Sequence, residues 1–224
     1  KLFLKYGLDI TAGCDITTYH LDDTRADIHA RDIRIENGEY VYSVIQNGEE
    51  LGEIRTGYPG RHNVENAVAA IAISLYHGVK WKEIETAMAG FLGVKRRFEY
   101  KINRPGRIYI DDYAHHPTEL KACIGAVRDL YPDKRLTGVF QPHLYSRTRD
   151  FADGFADSLS RLDELLLMEI YPAREEPIEG VTSEWLLNQV RMVNKKLCSR
   201  EELVEEVLKL SPELLLTMGA GDID

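Results

Sequence analysis

The sequence predicts an α/β protein whose second half builds a mostly parallel, doubly wound sheet and whose first half carries a small antiparallel sheet. Three observations predict it. Between Asp27 and Arg55 the β-like runs "DIHARDIRI", "EYVYSVI" and "ELGEIRT" are separated by "ENG" and "QNGEE", which supply hairpin-turn residues. From residue 107 onward, short apolar runs alternate with helix-like runs, the rhythm of parallel strands joined by crossover helices. Between these stretches the basic cluster Lys95–Arg97 marks a boundary, dividing the chain into residues 1–97 and 98–224.

The elements follow in order. After "GYPGRHN" comes "VENAVAAIAISLYHGV", an apolar helix rich in small residues and ending near Gly78, and then a second helix, "WKEIETAMAGFL". The second half reads as a strand over 107–111, a helix over 117–131 and a strand "LTGVFQ". A helix "TRDFADGFADSLSRL", a strand "DELLLMEI", helices "TSEWLLNQVRMV" and "REELVEEVLKL", and a strand "ELLLTMG" complete it. Pro117 suits a first helical position, where its missing N–H costs nothing, and Glu119 complements the helix dipole in the first turn. The chain opens abruptly on "KLFLKYGLDITAGCDITTYHLD" and stops at "GAGDID", so the expectation is a piece of a longer protein.

Composition sets bounds. A chain of 224 residues can bury a substantial core. The formal net charge of -9 argues against a nucleic-acid partner, which would need a basic face. The apolar runs are too short to span a bilayer and no leader opens the chain, so no membrane role and a cytoplasmic location are expected. Cys14, Cys123 and Cys198 are odd in number, without a C-x-x-C pair, and read as buried reduced thiols.

Four stretches carry chemistry. "IYIDDYAHHPTELKACIGAVRDLY" places Asp111, Asp112, Tyr113, His115 and His116 where a strand's carboxyl end meets a helix N-terminus, the ligand-binding crevice of open α/β sheets. The aspartates can accept from ribose hydroxyls or reach a metal, and the histidines can donate to phosphate or carboxylate; alternatively the aspartates and His116 cap the helix. In "GRHNVENAVAA", His62, Asn63 and Asn66 stand at a helix start, and carboxamides fit an adenine edge as well as they fit a cap. In "KRRFE", Arg96 and Arg97 can fork onto phosphate oxygens. "QPHLYSRTRD" sets His143, Tyr145, Ser146, Arg147 and Arg149 at another strand-to-helix turn. No G-x-x-x-x-G-K-[ST] phosphate loop is present, and "GAGDI" is only part of a dinucleotide fingerprint, so a dehydrogenase is disfavoured.

"HNVENAVAA", "RRFE", "DDYAHHPTE" and "GAGDI", in this order, resemble the Mur ligases, ATP-dependent amide-bond ligases of peptidoglycan biosynthesis. "DDYAHHPTE" with "QPHLYSRTRD" and "YPAREEPIEG" is most similar to the branch that adds L-alanine to UDP-N-acetylmuramate. The resemblance implies that residues 1–97 are the later part of a central ATP-binding domain, and 98–224 a Rossmann-like, amino-acid-binding domain. It implies ATP and Mg2+, with the magnesium ligands mainly upstream, and an acyl-phosphate intermediate; alone, this piece is expected to be inactive. It puts His62, Asn63 and Asn66 at adenine, Asp112 at ribose and Arg97 near the phosphates. Tyr113, His115, His143 and Arg147 fall around the alanine and the reacting carboxylate, with His115, His143 and Arg147 catalytic. Leu144 stands where relatives often carry arginine, and Arg174 where glycine is common. Two other readings stay open: a non-catalytic nucleotide-binding module, and the family member that recycles a tripeptide.

Overall fold

A computed structural model describes residues 16–223. Cys14 lies outside the described residues. The described residues form two compact units: one runs to Gly57 and resumes over Arg61–Phe91, and the other takes Tyr58–Gly60 and everything from Leu92 on. The chain thus leaves the first unit between Phe91 and Leu92, and Lys95–Arg97 falls inside the second.

In the first unit, β1 (Tyr19–His20) runs parallel to β2 (Ile28–Glu36), which continues antiparallel into β3 (Glu39–Gln46) and β4 (Glu49–Thr56). Both hairpin loops are Asn-Gly pairs, with φ of 53° and 82° at Asn37 and Gly38 and of 50° and 85° at Asn47 and Gly48. Positive φ at both positions matches the twist of the flanking strands, and Asn-Gly tolerates it at least cost. On β3, Tyr40, Tyr42, Val44 and the residues between them are buried on both faces. Helix α1 (Arg61–Tyr76) covers β1 and β2, and α2 (Trp81–Ala89) covers β4. Gly52, at φ +149°, lies under Trp81, where a Cβ would stand 2.7 Å from the indole nitrogen.

The second unit is a six-stranded sheet in the order β5-β6-β10-β7-β8-β9, formed by β5 (Glu99–Arg104), β6 (Arg107–Asp112), β7 (Leu136–Phe140), β8 (Glu164–Met168), β9 (Lys195–Cys198) and β10 (Leu214–Met218). Only β5 pairs antiparallel; the other pairings are parallel. Alternate residues serve opposite faces, as the strand period of two requires. Phe140, Leu165, Leu167, Leu214 and Leu216 join the core beneath α3 (Pro117–Leu130), α5 (Ala152–Leu159) and α6 (Ser183–Gln189). Val139, Leu166, Met168 and Leu215 join the smaller core beneath α7 (Arg200–Leu210). Helices therefore lie on both faces, and the doubly wound reading holds. Cys123 and Cys198 are both buried and free, as expected.

Four local features depart from the sequence reading. Strand β5 pairs with β6 through the two-residue loop Pro105–Gly106, and its mostly exposed, charge-rich residues hid it. Strand β9 is a four-residue edge strand with two lysines. The helix expected over "TRDFADGFADSLSRL" divides at Phe151 (φ -120°, ψ 20°) into α4 (Tyr145–Asp150) and α5, and the Phe151 ring meets that of His116 at 4.7 Å. Helix α6 stops at Gln189, where Lys195 Nζ donates to the carbonyls of Leu187 and Val190 at 2.7 and 2.6 Å, satisfying its C-terminal acceptors.

Because β10 enters between β6 and β7, Asp112, Met218 and Phe140 lie side by side at the carboxyl ends of three adjacent strands. The loops after β6, β7 and β10 therefore leave from neighbouring strand ends, where open α/β sheets commonly bind their ligands.

Candidate active site at the strand carboxyl ends

The turn after β6 is fastened from within by its two aspartates. Asp111 is fully buried, and its Oδ1 accepts from the Thr217 hydroxyl at 2.6 Å. Asp112 Oδ2 accepts the Phe98 N–H at 2.7 Å and its Oδ1 the Ala114 N–H at 2.8 Å. Burial raises the Asp112 carboxyl above its ordinary value despite these two amides. The same burial, with Asp112 beside it, pushes the Cys123 thiol well up. The Tyr58 phenol is raised to about 12 by burial and then by the charge of Asp112. The helix-cap alternative holds for His116: its ring accepts from Thr118 N–H at 3.3 Å, and Glu119 returns to the backbone to close a capping box.

Tyr113 and His115 are left facing one another, with ring centroids 5.1 Å apart. Glu119 Oε2 accepts the N–H groups of His115 and His116 at 3.0 and 3.2 Å, and the His115 ring bonds the Tyr113 carbonyl through Nδ1 at 2.9 Å. Beyond His115, at 6.2 Å between centroids, stands His143 of the loop after β7. The His143 ring stacks on Tyr171 at 5.6 Å and 13°, and its Nδ1 lies 3.3 Å from Arg147 Nη1. A guanidinium only donates, so Nδ1 is the acceptor and Nε2 carries the proton. Burial, followed by the charge of Arg147, lowers the His143 pKa and favours this neutral form.

The same loop is held from outside. Ser146 donates its N–H and its hydroxyl to Glu175 at 2.9 and 2.5 Å, which depresses the Glu175 carboxyl. Leu144 adopts φ +73°, a costly conformation for a branched side chain; its N–H donates to the Tyr171 carbonyl and its own carbonyl accepts from Thr148. In "YPAREEPIEG" positive φ falls on Ala173, at 51°, and on Gly180, at 78°, and not on Arg174, which therefore carries no left-handed backbone strain. Asp150 pairs with Arg149, and Arg147 faces His143.

The paired arginines divide their work. Arg96 turns inward onto the carbonyls of Gly219 and Gly221, whereas Arg97 remains half exposed, with its guanidinium 5.5 Å from the Tyr113 ring centroid and 3.9 Å from Glu119. Tyr113, His115, His143 and Arg147 thus form one row across two loops, with Arg97 at the Tyr113 end. Tyr171 and Glu175 lie within "YPAREEPIEG", but sequence reasoning missed them as partners in this row, because no local pattern gives their contacts with His143 and Ser146.

His62, Asn63 and Asn66 belong to the first unit. Helix α1 begins at Arg61, so all three lie within its opening turns, where Asn63 is buried and Asn66 Nδ2 donates to Asn63 Oδ1 at 3.4 Å. Among the described residues no cluster of three His, Cys, Asp or Glu side chains is poised to hold a metal ion.

Comparison with known proteins sets these residues in a family. Residues 96–221 match the Mur ligase, glutamate ligase domain, and residues 8–74 the Mur ligase middle domain. The chain is 48% identical over 223 residues to the UDP-N-acetylmuramate–L-alanine ligase of Flavobacterium psychrophilum, covering 100% of this chain and 49% of that protein. It is 50% identical over 194 residues to the ligase of the same name from Flavobacterium johnsoniae, covering 87% and 43%. Among solved structures, UDP-N-acetylmuramate-alanine ligase MurC from Thermotoga maritima aligns with a TM-score of 0.77 and 25% identity, over 92% of this chain and 45% of that one. The chain spans about half the length of the curated relatives it matches. Two Mur ligase domains in succession and near-half identity along the whole chain lead to one conclusion: the chain belongs to the Mur ligase family.

Proposed function

We propose that the whole protein carrying this chain is an ATP-dependent ligase that joins L-alanine to the carboxyl group of UDP-N-acetylmuramate in peptidoglycan synthesis. The observation that carries this reading is the row from Tyr113 to Arg147, in a chain 48% identical along its length to a protein named for that reaction. In this reading residues 1–97 are the later part of the ATP-binding domain and 98–224 the domain that brings the amino acid. No helix among the described residues is long and apolar enough to cross a membrane, which fits a cytoplasmic reaction between small molecules.

ATP supplies the phosphoryl group that converts the sugar-acid carboxylate into an acyl phosphate. His62, Asn63 and Asn66 receive the adenine. Asp112 has both oxygens on backbone amides, so it contacts ribose only through its remaining lone pairs. Arg97 neutralises phosphate charge, a task for a cation at a domain's rim rather than for covalent chemistry. Arg147 commits one N–H to His143 and keeps the rest of its fork for the alanine carboxylate. His143 offers its Nε2–H to the reacting carboxylate, and His115 completes the row. Magnesium would accompany the ATP phosphates in this reading; among the described residues no three His, Cys, Asp or Glu side chains cluster to hold it.

The test supplies the whole protein with UDP-N-acetylmuramate, ATP and L-alanine and identifies the product by mass. With the sugar carboxylate labelled in oxygen-18, the acyl-phosphate route predicts one labelled oxygen in the released phosphate. Ligation without that transfer removes the acyl phosphate; no ligation at all removes the function.

A further inference from the structure

Arg96 occupies a tight turn in which the Arg97 N–H donates to the Val94 carbonyl at 3.0 Å, and its own φ is +58°. That left-handed conformation costs free energy for any residue but glycine, with asparagine and aspartate the next most tolerant, so a side chain kept there needs a reason. The reason lies in its contacts. Nη1 donates to the Gly221 carbonyl and Nη2 to the Gly219 carbonyl, each at 2.9 Å, and Nε reaches Asp111 at 3.4 Å. The guanidinium lies 5.1 Å from the Tyr113 ring centroid, and the Arg96 carbonyl accepts the Tyr113 N–H at 2.7 Å. Its donors are therefore directed at the protein's own backbone and a buried carboxylate, unlike those of Arg97.

We propose that Arg96 is a positioning residue, clamping the loop after β10 to the turn after β6 and thereby fixing the Tyr113 ring against which Arg97 rests. The clamp depends on shape as much as charge. Two carbonyls two residues apart are met by one planar fork, which a lysine ammonium cannot reproduce, although it keeps the charge beside Asp111 and Tyr113. The rest of the loop after β10 is held separately, by the Gly219 N–H on the Asp112 carbonyl at 3.2 Å, by Arg200 on Asp222 and by the buried Ile223 side chain, so the Arg96 fork is what ties Gly219 and Gly221 to the turn before β5. The consequence for catalysis rests on the proposed function; the clamp itself does not.

Two measurements keep these apart. Amide hydrogen exchange of the chain, read by peptide, is expected to speed up at least tenfold over 217–223 in both Arg96→Met and Arg96→Lys. Over 111–116 it speeds up in Arg96→Met more than in Arg96→Lys, while β2–β4 stays unchanged. Wild-type exchange in both segments overturns the clamp, and Arg96→Lys carries the test if Arg96→Met fails to fold. In the whole protein, Arg96→Met is expected to lower kcat tenfold or more, by a larger factor than it raises any of the three KM values, with partial recovery in Arg96→Lys. A kcat within twofold of wild type overturns the positioning role. A wild-type protein that does not ligate alanine counts against the proposed function, and the exchange data then decide on the clamp alone.

Discussion

Arg147 and His143 share one hydrogen bond of 3.3 Å, and that pairing sets what substitution of each should do. Arg147→Lys keeps the charge but loses the fork, so the KM for alanine should rise about tenfold to a hundredfold, the equivalent of roughly 1.5 to 3 kcal/mol for a charge-assisted contact. The KM for ATP should change little. His143→Ala should instead lower turnover, and steady-state kinetics with each substrate varied in turn will separate the two patterns. The depressed pKa of His143 adds a pH dependence. Its neutral state contributes stability above the ordinary imidazole value of about 6.5, and that contribution is lost as pH falls from there through the lower folded value. The loss between pH 7 and pH 5 should be smaller in His143→Gln, as denaturant titrations across that range will report. Much of this site was legible at the level of single residues, because histidine and arginine after a strand announce themselves. The partners were not: Glu175 reaches Ser146 across 29 positions, and no local pattern encodes that contact.

At the scale of the element, Glu119 serves two ends at once. It closes the capping box of α3 and accepts the amides that set His115 and His116. Glu119→Ala should destabilise the second unit by about 1 to 2 kcal/mol, the usual worth of a lost cap with its hydrogen bonds, and should disturb turnover as well. Thermal unfolding and kinetics on the same preparation check both effects. Gly138 in β7 is a steric counterpart: a Cβ there would stand 2.5 Å from Leu162 Cδ1, so Gly138→Ala should cost about 1 to 3 kcal/mol through overpacking. The apolar strands and the Asn-Gly turns were readable because burial and positive φ leave a mark on composition. Strands β5 and β9 were not, since edge strands rich in charge lack that mark, and the break at Phe151, whose ring packs on His116, has no breaker residue to signal it.

At the scale of the molecule, each unit has its own buried core, and one tryptophan falls in each: Trp81 in α2 and Trp185 in α6. Urea unfolding of single-tryptophan chains should therefore show Gly138→Ala moving the midpoint reported by Trp185 while the midpoint reported by Trp81 stays in place. Equal shifts would mean that the units unfold as one. The division into an α/β half and a meander was evident from the change in rhythm along the chain, whereas the return of Tyr58–Gly60 to the second unit was not, because three residues carry no periodicity. The proposed addition of L-alanine to UDP-N-acetylmuramate is tested most directly in the whole protein by comparing kcat/KM for L-alanine with that for the recycled tripeptide under saturating ATP and sugar nucleotide. Ligation of alanine is expected, with the tripeptide disfavoured by at least a hundredfold. Preferential ligation of the tripeptide, or ligation of neither, would contradict it.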